Sequence, residues 1–508
     1  MEAPATVPPV QRLSLKELRI YGFRYNRRVE MTKPGFRGAM KLTRSLTRSR
    51  RIALFISLAV TVGLLVSLAA CGGSSSSSAP PPPPPPLKIQ HVVVIFQENR
   101  TPDNLFHDPV LIAKGADIAS SGKDSKGNTV TLTPVPMVTL YDLGHRHIDF
   151  VSMYDGGKMD GADLTKVECP ANQPNCAPPE PQFQYVQASD VGPYFQMAET
   201  YTFADKMFQT NQGPSFPAHQ YIISGTSAPK VGSNLFSAEI PTLGGVQAIT
   251  DTGCTSPPAE VVAMIDPQGK ESSEQYPCFD HPTLTDELDQ KSISWKYYTL
   301  SAGSIWTGPN AIKHMCVPDT SNTQCTGADW TNNVILNQTQ VLNDIAANAL
   351  PSVTWVIPDG KQSDHARNTD GSGPSWVASI VNAIGSGPYW ANTAIFITWD
   401  DWGGWFDHVA PTVRNSYEFG FRVPLIVVSP YAKAAYISHV PHDFGSILKY
   451  IEKNWSLASL GYADATADDL SDCFDYNQTP LPFKTIQAPL NAQHFQEDKS
   501  PPTDPDDD

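Results

Sequence analysis

The feature that most constrains the fold is a pair of hydrophobic runs that each end in two oxygen-bearing side chains. The run "HVVVIFQ" is followed by Glu98 and Asn99, and the run "AIFITW" is followed by Asp400 and Asp401. Short runs of β-branched and aromatic residues predict buried strands. Ligands bind at the carboxyl ends of strands in open α/β sheets, and carboxylate and amide oxygens suit hard divalent cations. The two strand ends together therefore predict one metal site.

Other segments extend this pattern into an α/β domain. Further short apolar runs, which predict more strands, lie at 221–224, 353–357 and 424–429. Residues 283–291 and 445–455 have the apolar spacing of helices. Strands separated by helix-length segments predict a sheet with covered faces. Two loop-rich regions, 155–190 and 250–330, are interpreted as excursions or a small cap over that sheet.

Charge is distributed unevenly along the chain. The first 70 residues contain 13 Lys and Arg but only 3 Asp and Glu, which leaves 23 basic and 48 acidic residues for the remainder. An acidic body repels nucleic acid, so no nucleic-acid partner is predicted. Residues 486–508 end in "DPDDD" and are predicted to form an acidic, disordered tail.

The N-terminal region has the features of an export signal. Basic residues precede an unbroken apolar run from Ile52 to Ala70, and Cys71 follows at once. A small-residue site before a cysteine resembles a bacterial lipobox, so we predict a lipoprotein signal peptide over 40–70 and lipidation of Cys71. The alternative is a transmembrane anchor, because about 19 apolar residues can span a bilayer. Either interpretation places the body in the bacterial cell envelope, outside the cytoplasm.

The domain boundaries follow from the same region. A charged leader begins at Met40, so residues 1–39 are interpreted as a mis-called or extended leader. Serine and proline runs over 71–87 predict a linker, in which the prolines form a stiff polyproline II spacer. The folded domain is then expected over 88–485.

The cysteines agree with an oxidising compartment. Three pairs lie close together in loop-rich segments, which predicts local disulfides, although the sequence leaves the connectivity open. These pairs are Cys169 with Cys176, Cys254 with Cys278, and Cys316 with Cys325. Cys473 is left over. Because no pair has the C-x-x-C spacing of a zinc site, a thiolate metal site is not predicted.

A serine and several histidines accompany the two strand ends. Ser215 lies in "GPSFP", where the prolines fix the backbone and aim the hydroxyl just before the predicted strand at 221–224. The histidines of interest are His145, His314 and His365. A metal held by carboxylates can activate a serine hydroxyl as a nucleophile, and a histidine can protonate a leaving oxygen.

Six motifs, in order, resemble a bacterial phosphoesterase family that contains phospholipases C and secreted acid phosphatases. They extend from about Ile89 to Trp455 and are "HVVVIFQENRTPDNLF", "GGKMDGAD", "GPSFPAHQYIISGTS", "ITWDDWGGWFDHVAP", "RVPLIVVSPYAK" and "HDFGSILKYIEKNW". The resemblance implies an alkaline-phosphatase-like α/β fold. Such a fold has a central, mostly parallel sheet with helices on both faces and a loop-rich cap.

The resemblance also implies roles for individual residues. The residues that correspond to metal ligands are Glu98, Asn99, Asp400, Asp401 and Ser215. Ser215 also corresponds to the nucleophile. The residues that correspond to histidines around the phosphate are His145, His314 and His365. His408 is expected to support the aspartate pair, whereas His219, His439 and His442 are interpreted as structural.

The predicted function is hydrolysis of phosphoric esters with a divalent metal ion and a phosphoseryl intermediate on Ser215. The substrate is a phosphate monoester, as for an acid phosphatase, or a phospholipid head group, as for a phospholipase C. The membrane is a partner through lipidated Cys71. Haemolytic-type enzymes of the family carry an extra C-terminal region that is not found in this sequence, which favours a compact, phosphatase-like member of the family. The alternative is a non-catalytic surface lipoprotein that uses the fold as a binding module. A sulfatase is disfavoured because His219 stands where that pattern needs arginine.

Overall fold

The computed structural model describes residues 87–503. The predicted signal peptide, Cys71 and nearly all of the linker lie outside these residues and remain predictions. Within the described range, no helix has both the length and the apolar character that crossing a membrane requires.

Two sheets contain most of the strands of the described residues. In chain order these strands are β1 (His91–Gln97), β2 (Thr202–Ala204), β3 (Phe236–Ser237), β4 (Thr242–Leu243), β5 (Val246–Gln247), β6 (Glu260–Ile265), β7 (Ser273–Gln275), β8 (Trp295–Tyr298), β9 (Val334–Ile335), β10 (Val353–Val356), β11 (Thr393–Trp399), β12 (Leu425–Val428) and β13 (Tyr436–Ser438). The main sheet has the order β9-β8-β10-β1-β11-β12-β2-β13. Neighbouring strands run parallel except at β12, which is antiparallel to β11 and β2. The predicted mostly parallel sheet is therefore confirmed.

The helices of the described residues connect and cover these strands. They are α1 (Pro102–Leu105), α2 (Pro109–Ala113), α3 (His147–Tyr154), α4 (Ala188–Thr200), α5 (Ser215–Ser224), α6 (Leu284–Gln290), α7 (Ala328–Asn333), α8 (Gln340–Ala346), α9 (Gly373–Gly385), α10 (Phe444–Trp455), α11 (Ala463–Thr466) and α12 (Ala492–Glu497). The predicted helices at 283–291 and 445–455 correspond to α6 and α10. Asp443 begins α10 by accepting a hydrogen bond from the Ser446 N–H.

Helices cover both faces of the main sheet, as predicted. Phe96 of β1 contacts Phe444 of α10 edge to face, with ring centroids 5.5 Å apart. Trp399 of β11 lies in register with Gln97, the neighbour of Phe96, so it points to the opposite face. There it contacts Tyr194 of α4 at 5.1 Å between ring centroids.

The prediction of a strand at 221–224 was wrong, because these residues form the last turn of α5. Gly225 ends this helix in the left-handed conformation with φ 68°, and its N–H donates to the Tyr221 carbonyl. Such a glycine is a common helix ending. The proline at position 217 lies in the first turn, where a helix tolerates it.

A smaller antiparallel sheet supports the loop-rich part of the molecule. Its order is β3-β6-β4-β5, with β7 paired to β6. The three predicted disulfides are present: Cys169 with Cys176, Cys254 with Cys278, and Cys316 with Cys325. The region 250–330 is not only a cap, because β8 within it joins the main sheet.

The C-terminal segment corrects a second expectation. In α12, Phe495 is buried against Trp376 of α9, with ring centroids 5.3 Å apart. Farther along, the Thr503 carbonyl accepts a hydrogen bond of 2.9 Å from the Gly360 N–H. The predicted disordered tail over 486–508 is therefore wrong for its described part, because the aromatic ring of Phe495 anchors the segment to the body.

Candidate active site

The ends of β1 and β11 bring the two predicted pairs of oxygen ligands together. These strands run parallel and side by side, so Glu98 and Asn99 lie next to Asp400 and Asp401. The Asn99 N–H donates to Asp400 Oδ1 at 3.1 Å, and the Asp401 N–H donates to the same oxygen at 2.8 Å. All four side chains are fully buried. The carboxylate oxygen of Asp400 thus fixes the geometry of both strand ends.

A glycine allows these strand ends to approach so closely. Asn99 has φ 63°, a conformation that asparagine tolerates better than most residues. Gly403 has φ 61°, and a Cβ atom there would lie 2.4 Å from the Asn99 carbonyl oxygen and 2.5 Å from its Cβ. No side chain fits in that space, so glycine at 403 is required for the position of Asn99.

Ser215 lies beside the aspartate pair as the first residue of α5. Its hydroxyl donates to Asp401 Oδ2 at 3.4 Å, and the residue is 2% exposed. No side chain caps the start of α5. Unpaired N–H groups at a helix N-terminus attract anions such as phosphate.

His219 lies one helical turn beyond Ser215 and belongs to the same centre. Its Nε2 is 3.2 Å from Glu98 Oε1 and 3.8 Å from Asp400 Oδ2. Burial lowers the pKa of His219 to about 4, so its ring is neutral at pH 7 and can act as a metal ligand. The interpretation of His219 as merely structural is not supported by this placement.

His145 and His365 lie on another side of the same centre. His145 Nε2 is 3.0 Å from Asn99 Nδ2 and 3.9 Å from Asp401 Oδ2. The Leu143 carbonyl lies 2.8 Å from His145 Nδ1, so Nδ1 carries the proton and Nε2 accepts from the amide. The ring of His365 is 5.8 Å from that of His145, centroid to centroid. Both imidazoles are therefore placed near the predicted ligands.

Three buried oxygen atoms at this centre have no hydrogen-bond partner among the described residues. They are Glu98 Oε2, Asn99 Oδ1 and Asp400 Oδ2. Leaving buried polar atoms unpaired is costly. Burial, and then the charge of Asp400, raises the pKa of Glu98 well above its usual range. A divalent cation would give all three oxygens a partner and offset the repulsion between the carboxylates, so these residues fit a metal site.

The family assignment comes from comparison with known proteins. A family model described as "Phosphoesterase family" matches residues 89–458. This chain belongs to the phosphoesterase family. As a phosphoesterase it is a hydrolase that acts on phosphoric ester bonds, which confirms the resemblance drawn from the six motifs.

Individual relatives of this phosphoesterase are named phospholipases C. Phospholipase C B of Mycobacterium tuberculosis H37Rv is 24% identical over 480 residues, which cover 84% of this chain and 85% of that protein. Hemolytic phospholipase C of Pseudomonas aeruginosa is 21% identical, with 76% of this chain and 56% of that protein covered. Among solved structures, a Vibrio parahaemolyticus protein of the alkaline phosphatase superfamily is 9% identical with a TM-score of 0.33, over 77% of this chain and 74% of that one. So low a structural score carries no conclusion about function.

Two predicted positions of the phosphoesterase lie elsewhere. His314 Nε2 is 3.3 Å from Asp286 Oδ2, so the structure places this histidine beside α6 and not beside His145 and His365. His408 does not support the aspartate pair. Its ring lies 2.7 Å from Asp103 Oδ2 and 3.0 Å from Asp117 Oδ1 instead.

Proposed function

We propose that the protein is a metal-dependent phosphoric ester hydrolase in which Ser215 is the nucleophile and forms a phosphoseryl intermediate. The observation that carries the proposal is the position of the Ser215 hydroxyl. It lies 3.4 Å from Asp401 Oδ2, at the uncapped start of α5 and beside the strand ends that hold the unpaired oxygens. A nucleophile, a general base and an anion-binding helix start are thereby adjacent.

The ligands of the cation would be Glu98, Asn99, Asp400 and Asp401, with His219 as an additional donor. When bound, a divalent cation lowers the pKa of a nearby hydroxyl and offsets negative charge on phosphate oxygens. Asp401 accepts the proton of Ser215 as the hydroxyl oxygen attacks phosphorus. The new bond joins Ser215 Oγ to phosphorus, and the bond from phosphorus to the leaving oxygen breaks.

We assign two sets of groups to the stabilisation of charge on the phosphate. The first-turn N–H groups of α5 favour an anion at the helix start. His365, whose ring lies 5.8 Å from that of His145 beside the same centre, is assigned to the non-bridging oxygens and, in its imidazolium form, to the proton on the leaving oxygen, whereas His145 orients Asn99 through Nε2. Water then cleaves the bond between Ser215 and phosphorus and regenerates the hydroxyl.

For the substrate we propose a phospholipid head-group diester first and a phosphate monoester second. The proposal rests on the relatives named phospholipase C, whose similarity covers 84% of this chain in one case. This ordering departs from the phosphatase-like preference drawn from the length of the chain. Export and attachment through Cys71 are likewise proposed from the sequence of residues 40–71.

The test compares the wild type with Ser215→Ala on p-nitrophenyl phosphorylcholine and on p-nitrophenyl phosphate. Assays should run from about pH 4 to about pH 9, with and without EDTA. We expect the substitution to lower kcat by about 10³-fold or more, because no other hydroxyl replaces the nucleophile. The diester should be the faster substrate.

Ser224→Ala is the matched control. Ser224 is also a buried serine of α5, but its hydroxyl donates only to backbone carbonyls, those of Gln220 and Thr226. This control should retain wild-type turnover. If wild type and Ser215→Ala are equally inert on both substrates with metal bound, the hydrolase proposal fails for these esters and the binding-module alternative gains support. Equal turnover by both would exclude Ser215 as the nucleophile.

A further inference from the structure

A second group of potential metal ligands lies away from the active site, next to the edge strand β13. His442 is in a short strand just before α10, and Asp472 and Cys473 are in a 3-10 turn at Ser471–Cys473. His442 and Cys473 are fully buried. Within residues 87–503, the hydrogen bonds and ion pairs of this group join it to Ser438 and Asp468 and not to the strand ends of β1 and β11.

The distances between the three ligand atoms match those of a tetrahedral zinc site. Cys473 Sγ is 4.0 Å from His442 Nε2 and 3.6 Å from Asp472 Oδ1, and His442 Nε2 is 3.4 Å from that same oxygen. Zinc bonds of about 2.3 Å to sulfur and about 2.0–2.2 Å to nitrogen and oxygen, at tetrahedral angles, place the ligand atoms about 3.4–3.6 Å apart. The atoms therefore need to move by only a few tenths of an ångström.

The surroundings of His442 supply an independent observation. Its other ring nitrogen, Nδ1, lies 3.0 Å from Asp468 Oδ1. Histidines that bind metals usually donate their second N–H to a carboxylate, which fixes the tautomer and orients the ring. Here the Asp468 carboxylate lies within ion-pair distance of Nδ1 without the geometry of a hydrogen bond, and Nε2 is directed toward Asp472 and Cys473.

The sulfur ligand indicates which metal would bind. Cys473 is the free thiol of the described residues, since the other cysteines there form disulfides. A set of thiolate, imidazole and carboxylate donors suits zinc, whereas calcium and magnesium prefer oxygen alone. The Asp472 side chain is 21% exposed and offers a route for the ion.

We propose that His442, Asp472 and Cys473 bind one Zn²⁺ ion that is separate from the cation of the active site. The Cys473 thiol loses its proton to solvent as the sulfur binds, and the fourth position is taken by water. The nearby Ser438 hydroxyl, 3.2 Å from His442 Nε2, lies in β13. The ion would attach the turn at Ser471–Cys473 to the short strand His442–Asp443 that precedes α10.

The test uses the full chain with a Cys71→Ser background, so that Cys473 is the remaining thiol. Cobalt replaces zinc as a spectroscopic probe, and its thiolate complexes have a charge-transfer absorption in the near ultraviolet. We expect this absorption with Cys473 intact and its loss in Cys473→Ser. After equilibration with zinc and gel filtration, the metal content should fall by one ion per chain in Cys473→Ser.

Asp400→Asn is the matched control, because it alters only the active-site ligands. It should lose hydrolysis and keep the cobalt–thiolate absorption, which separates this site from the proposed catalytic one. The inference is overturned if the chain with Cys473 intact shows no such absorption at saturating cobalt. Equal zinc content with and without Cys473 also overturns it. If Cys473→Ser fails to fold, the presence or absence of the cobalt–thiolate absorption in the protein with Cys473 intact still tests the inference.

Discussion

Replacing Gly403 by alanine should test how strictly the backbone positions the metal ligands. The new Cβ would lie 2.4 Å from the Asn99 carbonyl oxygen, whereas nonbonded heavy atoms normally rest at about 3.5 Å. One of the two segments must therefore move by about 1 Å. Alanine at φ 61° adds about 1 kcal/mol of backbone strain.

The displacement should fall on the active site, because Asn99 is held between the Gly403 turn and Asp400. A misplacement of about 1 Å can lower turnover about 10²-fold, which corresponds to about 2.7 kcal/mol in the activation barrier. We therefore expect kcat/KM of Gly403→Ala to fall by about two orders of magnitude. The affinity for the activating cation should fall as well, as measured by metal titration of chelator-treated protein.

Gly269→Ala is the matched control for this experiment. Gly269 has φ 75°, so alanine meets the same kind of backbone strain, but no atom lies within 4 Å of the added Cβ. Its unfolding free energy should drop by about 1 kcal/mol while turnover and metal affinity stay unchanged. Wild-type turnover and metal affinity in Gly403→Ala would refute the reasoning that close packing at Gly403 fixes Asn99.

Three further changes have defined outcomes. Burial disfavours charge on His408, but the hydrogen bond and charge of Asp103 outweigh burial and raise its pKa to about 9. Its contribution to stability should be complete below about pH 6.5 and lost as pH rises through about 9. Because the His408 side chain is 30% exposed, we expect this contribution to the unfolding free energy to be about 1–2 kcal/mol. A difference in unfolding free energy between wild type and His408→Gln that does not change with pH would contradict the prediction. Replacing Cys254 and Cys278 by serine opens a loop of sequence separation 24 and should lower the unfolding free energy, measured by urea denaturation, by about 3.5 kcal/mol. The same replacement of Cys169 and Cys176, with separation 7, should lower it by only about 2.5 kcal/mol. Equal losses would oppose the loop-entropy explanation. Glu98→Gln should weaken cation binding at least about tenfold, because a ligand is lost. The metal-free protein should be no less stable, because the substitution removes a buried carboxyl group. Unchanged cation affinity in titrations would exclude Glu98 as a ligand.

The part of the active site that lies at strand ends could be predicted from local sequence. A buried strand followed by two oxygen donors specifies both the edge of the sheet and the chemistry found there, as Glu98 and Asp400 demonstrate. The disulfides were predictable because each joins cysteines within one loop-rich segment. Each motif is contained in a short stretch of chain, whereas the contact between the two strand ends depends on the parallel pairing of β1 with β11.

The histidines were harder to place because their positions depend on element type and on loop paths. His219 reaches Glu98 only because residues 215–224 are helical, which places it one turn after Ser215 on the same side. The incorrect prediction of a strand at 221–224 did not allow this relation between Ser215 and His219 to be recognised. The position of His314 depends on the path of the loops around it, and that path places its ring beside Asp286 of α6. His442 and Cys473 are 31 residues apart, so their contact could not be predicted from a short sequence motif.

The central position of β1 also determines how the chain must fold. Its residue Val93 pairs with Thr354 on one side and Ile395 on the other, so both partners are synthesised hundreds of residues later. Until then the apolar run at 92–96 has no neighbouring strands and can pair with other chains. Folding of this protein should therefore be slow and dominated by non-local contacts, with a strong tendency to aggregate at high chain concentration. Conditions that delay aggregation should raise the yield of folded protein more than conditions that stabilise the native state.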